Sequence, residues 1–373
     1  MKIDDKKSLK SPSLRFPEFN GEWVLNEMWN IAPLQRGFDL PSGNVLDGTI
    51  PVVYSNGILR YHNDYKCKAP AVITGRSGTI GKFTYLDKGY YWPHNTTLWV
   101  TDFCHNNPKF IYYLYQTINI SQFATGSGVP TLNRNDVHRH RCYLPKSIDE
   151  QRKIAAFLSL IDERIAIQDR LIEDLKKLSC AIVEKMFKQS KTNGRLGDFI
   201  EQVSVRNKNG LYSNVLSVSN KQGFVKQSEQ FEDRTVASED TSNYKIVKRN
   251  NFAYNPARIN VGSIARLTKF DVGIVSPMYV CFRTKDGIIP EYMEAFFTSQ
   301  QFFYEMMKRL EGSVRLCLSY EGLCNIPVYI PNMNKQIVMG QNISLILSKI
   351  GLEIEYLGRL HQQKQYLLRK MFI

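Results

Sequence analysis

The glycine-rich segment at residues 75–82, which reads GRSGTIGK, has residue types that could bind phosphate. A phosphate-binding P-loop has a glycine five residues before its Gly-Lys pair, and Ser or Thr directly after that pair. Here Arg76 occupies the required glycine position, and Phe83 follows Gly81-Lys82. We therefore predict a tight turn between strands at this segment, and no nucleotide site.

Other segments carry only fragments of catalytic or metal sites. Asn255-Pro256-Ala257-Arg258 lacks the second proline and the aromatic residue of the Asn-Pro-Pro-aromatic motif of adenine methyltransferases. In His138-Arg139-His140-Arg141 the two histidines would share one face of a strand, but two ligands do not make a metal site. We predict a solvated strand end there. The seven cysteines are scattered without a Cys-x-x-Cys pair. The sequence thus predicts no catalytic residue, metal or cofactor in this chain.

Recognition of DNA is the chemistry that remains, and its candidate residues recur in two copies. Each copy has an early turn and a late loop, and Gly126 and Gly312 in the two late loops lie 186 residues apart. Arg and Asn side chains read guanine and adenine edges, whereas Ser, Thr and Lys mostly hold phosphates. The candidates in the first copy are Arg76, Ser77, Thr79, Lys82, Thr131, Asn133 and Arg134, and those in the second are Asn255, Arg258, Asn260, Arg315, Ser319 and Tyr320. Simple solvation of loop side chains is the alternative.

Two long helices with matched apolar seams must position these loops. Apolar residues recur at alternating four- and three-residue steps, which is typical of a coiled coil. The seam residues are Ile154, Leu158, Ile161, Ile165, Ile172 and Leu175 in the first helix and Ile343, Ile346, Ile350, Leu357, Leu360 and Leu367 in the second. Polar residues interrupt both seams at the same two steps, Gln168 with Glu353 and Ser179 with Lys364. The sequence therefore predicts a duplicated lobe-plus-helix unit.

The predicted fold class is α+β, with two similar lobes and two long antiparallel helices between them. We call residues 1–148 lobe 1 and residues 189–334 lobe 2, and the helices are expected over residues 149–188 and 335–373, with Asp149 as the first N-cap. At about 1.5 Å per residue, forty helical residues form a rigid spacer of about 60 Å. Within the lobes we expect strands at residues 50–54, 71–74, 82–86, 97–100, 251–254 and 263–267, and helices at residues 108–118 and 290–303.

The charge distribution favours a polyanionic partner. The net charge is +14; lobe 1 carries 17 basic and 11 acidic residues, and lobe 2 carries 18 and 14. The first helix is balanced, with eight of each. DNA would fit such lobes. The composition, the charged start and the free cysteines lead us to expect a cytoplasmic protein with no membrane contact.

The chain resembles the DNA specificity subunits of type I restriction-modification systems. The residues that carry the resemblance are Leu14–Phe19, Gly78–Lys82 with Gly262–Ala265, Leu144-Pro145 before Glu150–Ile154, and Ile330-Pro331 before Lys335-Gln336. The resemblance implies two target-recognition domains, each reading half of a split, asymmetric site in double-stranded DNA, and no catalytic activity in this chain. It also implies two methyltransferase subunits that use S-adenosylmethionine and two restriction-translocase subunits that use ATP and Mg²⁺.

Two other classes of function stay open. A coiled-coil scaffold whose basic lobes bind RNA or protein would explain the charge and the helices. A lone methyltransferase is disfavoured by the incomplete motif at Asn255.

Overall fold

The computed structural model describes residues 11–126, 128–188, 191–220, 222–230, 240–313 and 315–373. The chain forms two compact units. Unit 1 comprises Met1–Asp169 with Tyr356–Ile373, and unit 2 comprises Arg170–Glu355. Each unit therefore contains one lobe and a segment of both long helices. The mixture of small sheets and helices confirms the predicted α+β class.

Lobe 1 is built on two four-stranded sheets. Its strands are β1 (Val24–Glu27), β2 (Leu34–Arg36), β3 (Ile50–Tyr54), β4 (Gly57–His62), β5 (Cys67–Lys68), β6 (Ala71–Gly75), β7 (Phe83–Leu86), β8 (Tyr90–Pro93), β9 (Thr97–Val100), β10 (Ala124–Thr125), β11 (Thr131–Leu132) and β12 (Arg141–Leu144). Its helices are α1 (Met28–Ile31), α2 (Pro108–Thr117) and α3 (Arg134–His138), with 3₁₀ turns at Ser42–Asn44 and Ile120–Phe123; the long helix α4 (Ile148–Lys188) follows. The strand orders are β2-β9-β6-β7, all antiparallel, and β4-β3-β8-β5, in which β3 and β8 are parallel.

Lobe 2 repeats this topology. Its strands are β13 (Gly194–Arg195), β14 (Ile200–Gln202), β15 (Leu216–Ser219), β16 (Gly223–Lys226), β17 (Lys245–Lys248), β18 (Phe252–Tyr254), β19 (Ile264–Arg266), β20 (Val272–Val275), β21 (Val280–Thr284) and β22 (Pro327–Val328). Its helices are α5 (Leu196–Phe199), α6 (Gln227–Gln230), α7 (Pro290–Phe297), α8 (Gln300–Met307) and α9 (Tyr320–Cys324), with a 3₁₀ turn at Ile259–Val261; α10 (Met333–Met371) follows. The order β14-β21-β18-β19 matches β2-β9-β6-β7. A parallel bridge between Val215 and Ile274 gives β16-β15-β20-β17, which matches β4-β3-β8-β5.

Most predicted elements lie within one or two residues of the observed ones, but two predictions about helices were wrong. The single helix predicted over residues 290–303 is two helices, because the Ser299 hydroxyl accepts a hydrogen bond from the Phe302 amide (3.1 Å) and starts α8. Asp149 is not the N-cap of α4. Ser147 fills that role, with its hydroxyl 3.3 Å from the Glu150 amide, and Asp149 lies in the first turn beside Arg152.

The predicted seam residues face inwards within each unit. Buried members are Ile154, Leu158, Ile161, Ile172, Ile343, Ile350, Leu360 and Leu367, and half-buried members are Ile165, Leu175, Ile346 and Leu357. In unit 1, Lys364 forms an ion pair with Asp162 (2.7 Å) and Tyr356 accepts a hydrogen bond from Arg164. Residue numbers rise along one helix as they fall along the other, so the two segments are antiparallel in this unit. Full burial of one such side chain stabilises the fold by about 1.5–3 kcal/mol.

Near the start of each long helix, one buried glutamine forms hydrogen bonds that connect the helix to its lobe. In unit 1 the Gln151 side chain accepts from the Asn107 amide (2.8 Å) and donates to the Pro145 carbonyl (3.1 Å). In unit 2 Gln336 accepts from the Ile289 amide (3.0 Å) and donates to the Pro331 carbonyl (3.0 Å). Both glutamines are at most 3% exposed. Each one therefore satisfies backbone groups at the start of α2 or α7 that burial would otherwise leave unpaired.

Helix α10 is long and apolar enough, by length and composition alone, to cross a membrane. Its most apolar window has a mean hydropathy of 1.3, and 17% of that window is buried. A helix that packs an apolar seam passes the same test. Leu367 and Met371 near its end are buried in the core of unit 1 with Trp23 and Phe110.

Candidate nucleic-acid interface

The early turn and the late loop of lobe 1 lie side by side. The Arg76 carbonyl accepts a hydrogen bond from the Leu132 amide (2.7 Å), and Ser77 forms an antiparallel bridge with Thr131. The turn closes tightly after Gly75, where an added Cβ would lie 1.8 Å from the Thr79 carbonyl oxygen. Two segments more than fifty residues apart thus form one surface.

Lobe 2 joins its two loops with the corresponding hydrogen bond. The Leu318 amide donates to the Pro256 carbonyl (3.1 Å), and the Tyr254 hydroxyl donates to the Leu318 carbonyl (3.2 Å). The late-loop glycines share a left-handed backbone, with φ of +112° at Gly126 and +116° at Gly312. The pairing of early turn with late loop is therefore a property of both lobes.

The predicted residues of lobe 1 divide into two groups. Arg76, Thr131, Asn133 and Arg134 line a cleft of about 710 Å³. Ser77, Thr79 and Lys82 lie outside the cleft, and the Lys82 ammonium donates to the Asn56 carbonyl (2.9 Å). Asn133 also caps α3, since its side chain accepts from the Asn135 amide (3.0 Å). Four of the seven residues thus face a common space.

Sequence reasoning missed four polar residues of this cleft: Gln35, Arg36, Asp39 and Thr125. The first three lie on β2 and just after it, about forty residues before the early turn, and Thr125 ends β10. Asp39 is the one acidic residue among the described cleft residues, and its carboxylate accepts a hydrogen bond from the Asn95 side chain. The glycine that follows Arg36 was the available signal. An added Cβ at Gly37 would lie 2.2 Å from the His94 carbonyl oxygen, so the backbone needs glycine there.

The arginines of the cleft differ from those elsewhere in lobe 1. Arg15, Arg139 and Arg141 form ion pairs with Glu150, Asp136 and Glu27 respectively. By contrast, Arg36, Arg76 and Arg134 have no side-chain hydrogen bond or ion pair with any residue that the structure describes. The Arg76 Nε atom is buried, and among described atoms it has no acceptor. Three guanidinium groups are therefore left for an external partner.

The predicted residues of lobe 2 lie on the joined loops, and none of them lines one of the clefts formed by the described residues. Arg258 and Arg315 are exposed, and neither side chain has a hydrogen bond or ion pair within the described part of the chain. The side chains of Asn255 and Ser319 accept from the Ala257 and Gly322 amides. Asn260 and Tyr320 are half-buried, and burial raises the pKa of the Tyr320 hydroxyl. A cavity of about 680 Å³ lies beside β14 instead, and none of these residues lines it.

The prediction of a solvated strand at His138 was wrong. His138 ends the short helix α3 and is 6% exposed. Its Nε2 atom accepts a hydrogen bond from the Leu34 amide (2.8 Å). Burial lowers the pKa of His138, and the nearby Arg134 lowers it further, so the neutral form that can accept this bond is favoured. No group of three or more His, Cys, Asp or Glu residues that could hold a metal ion occurs within the described ranges.

Comparisons with known proteins agree with this geometry. Residues 23–177 match the family model described as the type I restriction modification DNA specificity domain. This part of the chain is therefore similar to the DNA specificity domains of type I restriction-modification systems.

Particular relatives extend the likeness. A putative type I specificity subunit of Mycoplasma pneumoniae is 28% identical over 173 residues, which are 43% of this chain and 46% of that protein. The match thus spans about half the length of this relative. The crystal structure of the type I restriction-modification S subunit from M. genitalium has a TM-score of 0.66 at 18% identity, and the alignment covers 97% of this chain and 99% of that one. A structure that describes assembly and conformational transition of the type I system has a TM-score of 0.52 at 12% identity, over 94% and 97% of the two chains. The aligned parts of this chain share the fold of these two solved chains.

Proposed function

We propose that this chain is the non-catalytic DNA-recognition subunit of a type I restriction-modification complex, in which each lobe reads one half of a split, asymmetric site. One observation carries the proposal most. In both lobes the same backbone hydrogen bond joins two loops, and their arginines have no acidic partner among the described residues. Arginines without internal partners are free to bind phosphates and base edges. Such a protein would act in the cytoplasm, where the chromosome lies.

The long helices support a second part of the proposal, the scaffolding of two methyltransferase subunits. Their surfaces retain large apolar residues that neither seam uses. The exposed ones on α4 are Leu160, Ile167, Leu171 and Leu178, and those on α10 include Val338, Leu345, Leu347, Leu352 and Ile354. Exposed apolar residues in such number on two helices are typical of surfaces that contact other proteins. The methyltransferase subunits would supply S-adenosylmethionine chemistry, and two restriction-translocase subunits would supply ATP- and Mg²⁺-dependent steps.

Mapping of methylated adenines tests the proposal directly. The chain is co-expressed with the methyltransferase subunit of its own system in a host without such modification. We expect one split motif to become methylated, and we expect none with the methyltransferase subunit alone. An unmodified genome in the presence of both subunits would contradict the proposal.

A salt titration distinguishes this function from the alternative, a scaffold that binds RNA or protein. Binding of the complex to duplex DNA should weaken steeply as salt rises, because phosphate contacts release counterions. Binding to single-stranded RNA should be weaker at every salt concentration. Equal affinity for the two nucleic acids would favour the scaffold.

A further inference from the structure

We propose that the lobe 1 cleft holds one guanine of the target site, and that Arg36 reads its edge. This inference rests on the proposed function. It adds a specific base and a residue that neither the sequence motifs nor the family match singled out. The cleft residues that matter are Arg36, Arg76 and Arg134, with Thr131 and Asn133 on the late loop.

The backbone of Arg36 is held on both sides. Arg36 pairs with Leu98 in the antiparallel register of β2 and β9. Two residues earlier, the Leu34 amide donates to buried His138, and one residue later the Gly37 amide donates to the Thr97 carbonyl (3.0 Å). A side chain on a paired strand is placed more accurately than one on a loop. The main chain of Arg36 is thus rigid while its side chain is exposed.

The charge in the cleft calls for an acceptor-rich ligand. Three guanidinium groups face one carboxylate, that of Asp39, which is already engaged by Asn95. The positive charges around this cleft repel each other, and a negatively charged ligand would relieve that repulsion. The half-buried Arg76, whose Nε lacks an acceptor, loses solvation without gaining a hydrogen bond inside the described chain. DNA offers both phosphates and base-edge acceptors.

The assignment of guanine to Arg36 follows from the geometry of hydrogen-bond donors. The planar guanidinium donates two parallel hydrogen bonds, and guanine presents O6 and N7 as a matching pair of acceptors in the major groove. Lysine keeps the charge but lacks this fork. Arg134 lies at the start of α3, and Arg76 lies on the early turn. These two would hold the flanking phosphates.

Arg36→Lys in the assembled methyltransferase complex tests the inference. Adenine methylation is mapped across a genome for wild type and variant, so the target sequence need not be known beforehand. We expect preference at one guanine–cytosine pair, in one half of the motif only, to fall about tenfold or more, since a bidentate contact contributes roughly 1–3 kcal/mol to discrimination. The salt dependence of DNA binding should be unchanged, because the charge is retained.

Arg60→Lys is the matched control. Arg60 is an exposed arginine on β4 without a partner among the described residues, and it does not line the cleft. We expect it to leave both half-sites unchanged. The unaffected half of the motif in Arg36→Lys reports that the variant complex is folded.

Three results would overturn the inference while the proposed function stands. The first is an unchanged motif in Arg36→Lys. The second is relaxation at an adenine–thymine pair. The third is a variant Arg36→Ala that weakens all sites uniformly with a shallower salt slope, which would make Arg36 a phosphate contact. Absence of any motif with the wild-type chain would instead refute the proposed function itself.

Discussion

Lobe 1 and lobe 2 share a backbone topology but use different side-chain interactions where the same hairpin meets the same helix. The pairings of Val72 with Tyr85 and of Phe252 with Arg266 occupy corresponding places in the two hairpins. In lobe 1 the ammonium of Lys109 lies 4.0 Å from the Tyr85 ring centroid. In lobe 2 Arg266 forms ion pairs with Glu291 and Glu294 from the corresponding helix. The contact between hairpin and helix is therefore required by the fold, whereas the interaction that fills it is not.

The two units also close differently at the ends of the long helices. In unit 2 the Phe187 ring packs against Tyr292 and Phe296, and the chain continues into lobe 2. In unit 1 Phe372 packs against Trp23 and Phe110. The Leu14 amide donates to the Lys370 carbonyl (2.9 Å). In unit 1 a backbone hydrogen bond to residue 14 thus adds to the aromatic contacts at the end of α10.

Substitutions at the junction of lobe 1 with α4 should destabilise the protein far more than substitutions at the equivalent junction of lobe 2 with α10. Glu150 is 2% exposed, and its carboxylate accepts from Arg15 (2.7 Å) and from the Trp23 indole (3.2 Å). The corresponding residue before Gln336 is the exposed Lys335. We expect Glu150→Ala to destabilise unit 1 by about 3 kcal/mol, because it leaves the largely buried guanidinium of Arg15 without its carboxylate partner. Lys335→Ala should change unit 2 by less than about 0.5 kcal/mol.

Hydrogen exchange followed by mass spectrometry measures each unit separately. Faster exchange of lobe 1 amides in Glu150→Ala, with lobe 2 unchanged, is the expected pattern. Equal effects of Glu150→Ala and Lys335→Ala would show that the acidic residue has no special role.

The buried glutamines should show the opposite result, an equal effect in both units. Gln151→Ala leaves the Asn107 amide without an acceptor, and Gln336→Ala does the same to Ile289. An unpaired buried backbone group costs about 1–3 kcal/mol, so we expect each variant to destabilise its unit by about 2 kcal/mol.

The exposed Gln341 on α10 provides a control, since Gln341→Ala should be nearly neutral. Chemical denaturation and hydrogen exchange would give the values. If one glutamine variant cost several times as much as the other, the two lobe–helix junctions would not be equivalent.

The sequence was most informative where the determining interactions are local or repeated. The four-three spacing of Ile154, Leu158 and Ile161 predicts their shared face within one helix. Arg36 escaped prediction because its strand pairs with Leu98, 62 positions away, and the adjacent Gly37 indicates a close backbone contact without identifying the partner strand. His138 escaped because five residues are too few for periodicity to separate a helix from a strand, although Asn133 carried a capping signal. The residues of the interface could be proposed from types and repeats, but their grouping into a cleft depends on long-range pairing.

Acidification should lower the stability of lobe 1 more than that of lobe 2, and this is the smallest of the expected differences. All histidines of the chain lie in residues 62–140 or at His361, so unit 2 has none. Burial lowers the pKa values of His94, His138 and His140 below the ordinary value of 6.5. The folded lobe 1 therefore favours neutral histidines, which bind protons less readily than in the unfolded chain. Its stability is complete above about pH 6.5 and declines as the pH falls towards the lowered pKa values.

In unit 2 burial raises the pKa of Glu294, so acidification does not oppose the folded state through that group. We expect lobe 1 amides, and β2 above all, to lose protection between pH 7 and pH 5 while lobe 2 amides keep theirs. His138→Gln should remove part of this decline, because glutamine can still accept from the Leu34 amide without titrating. A pH response of equal size in both lobes would mean that carboxylates, and not the histidines behind β2, govern it. The position of Arg36 would then not depend on pH through His138.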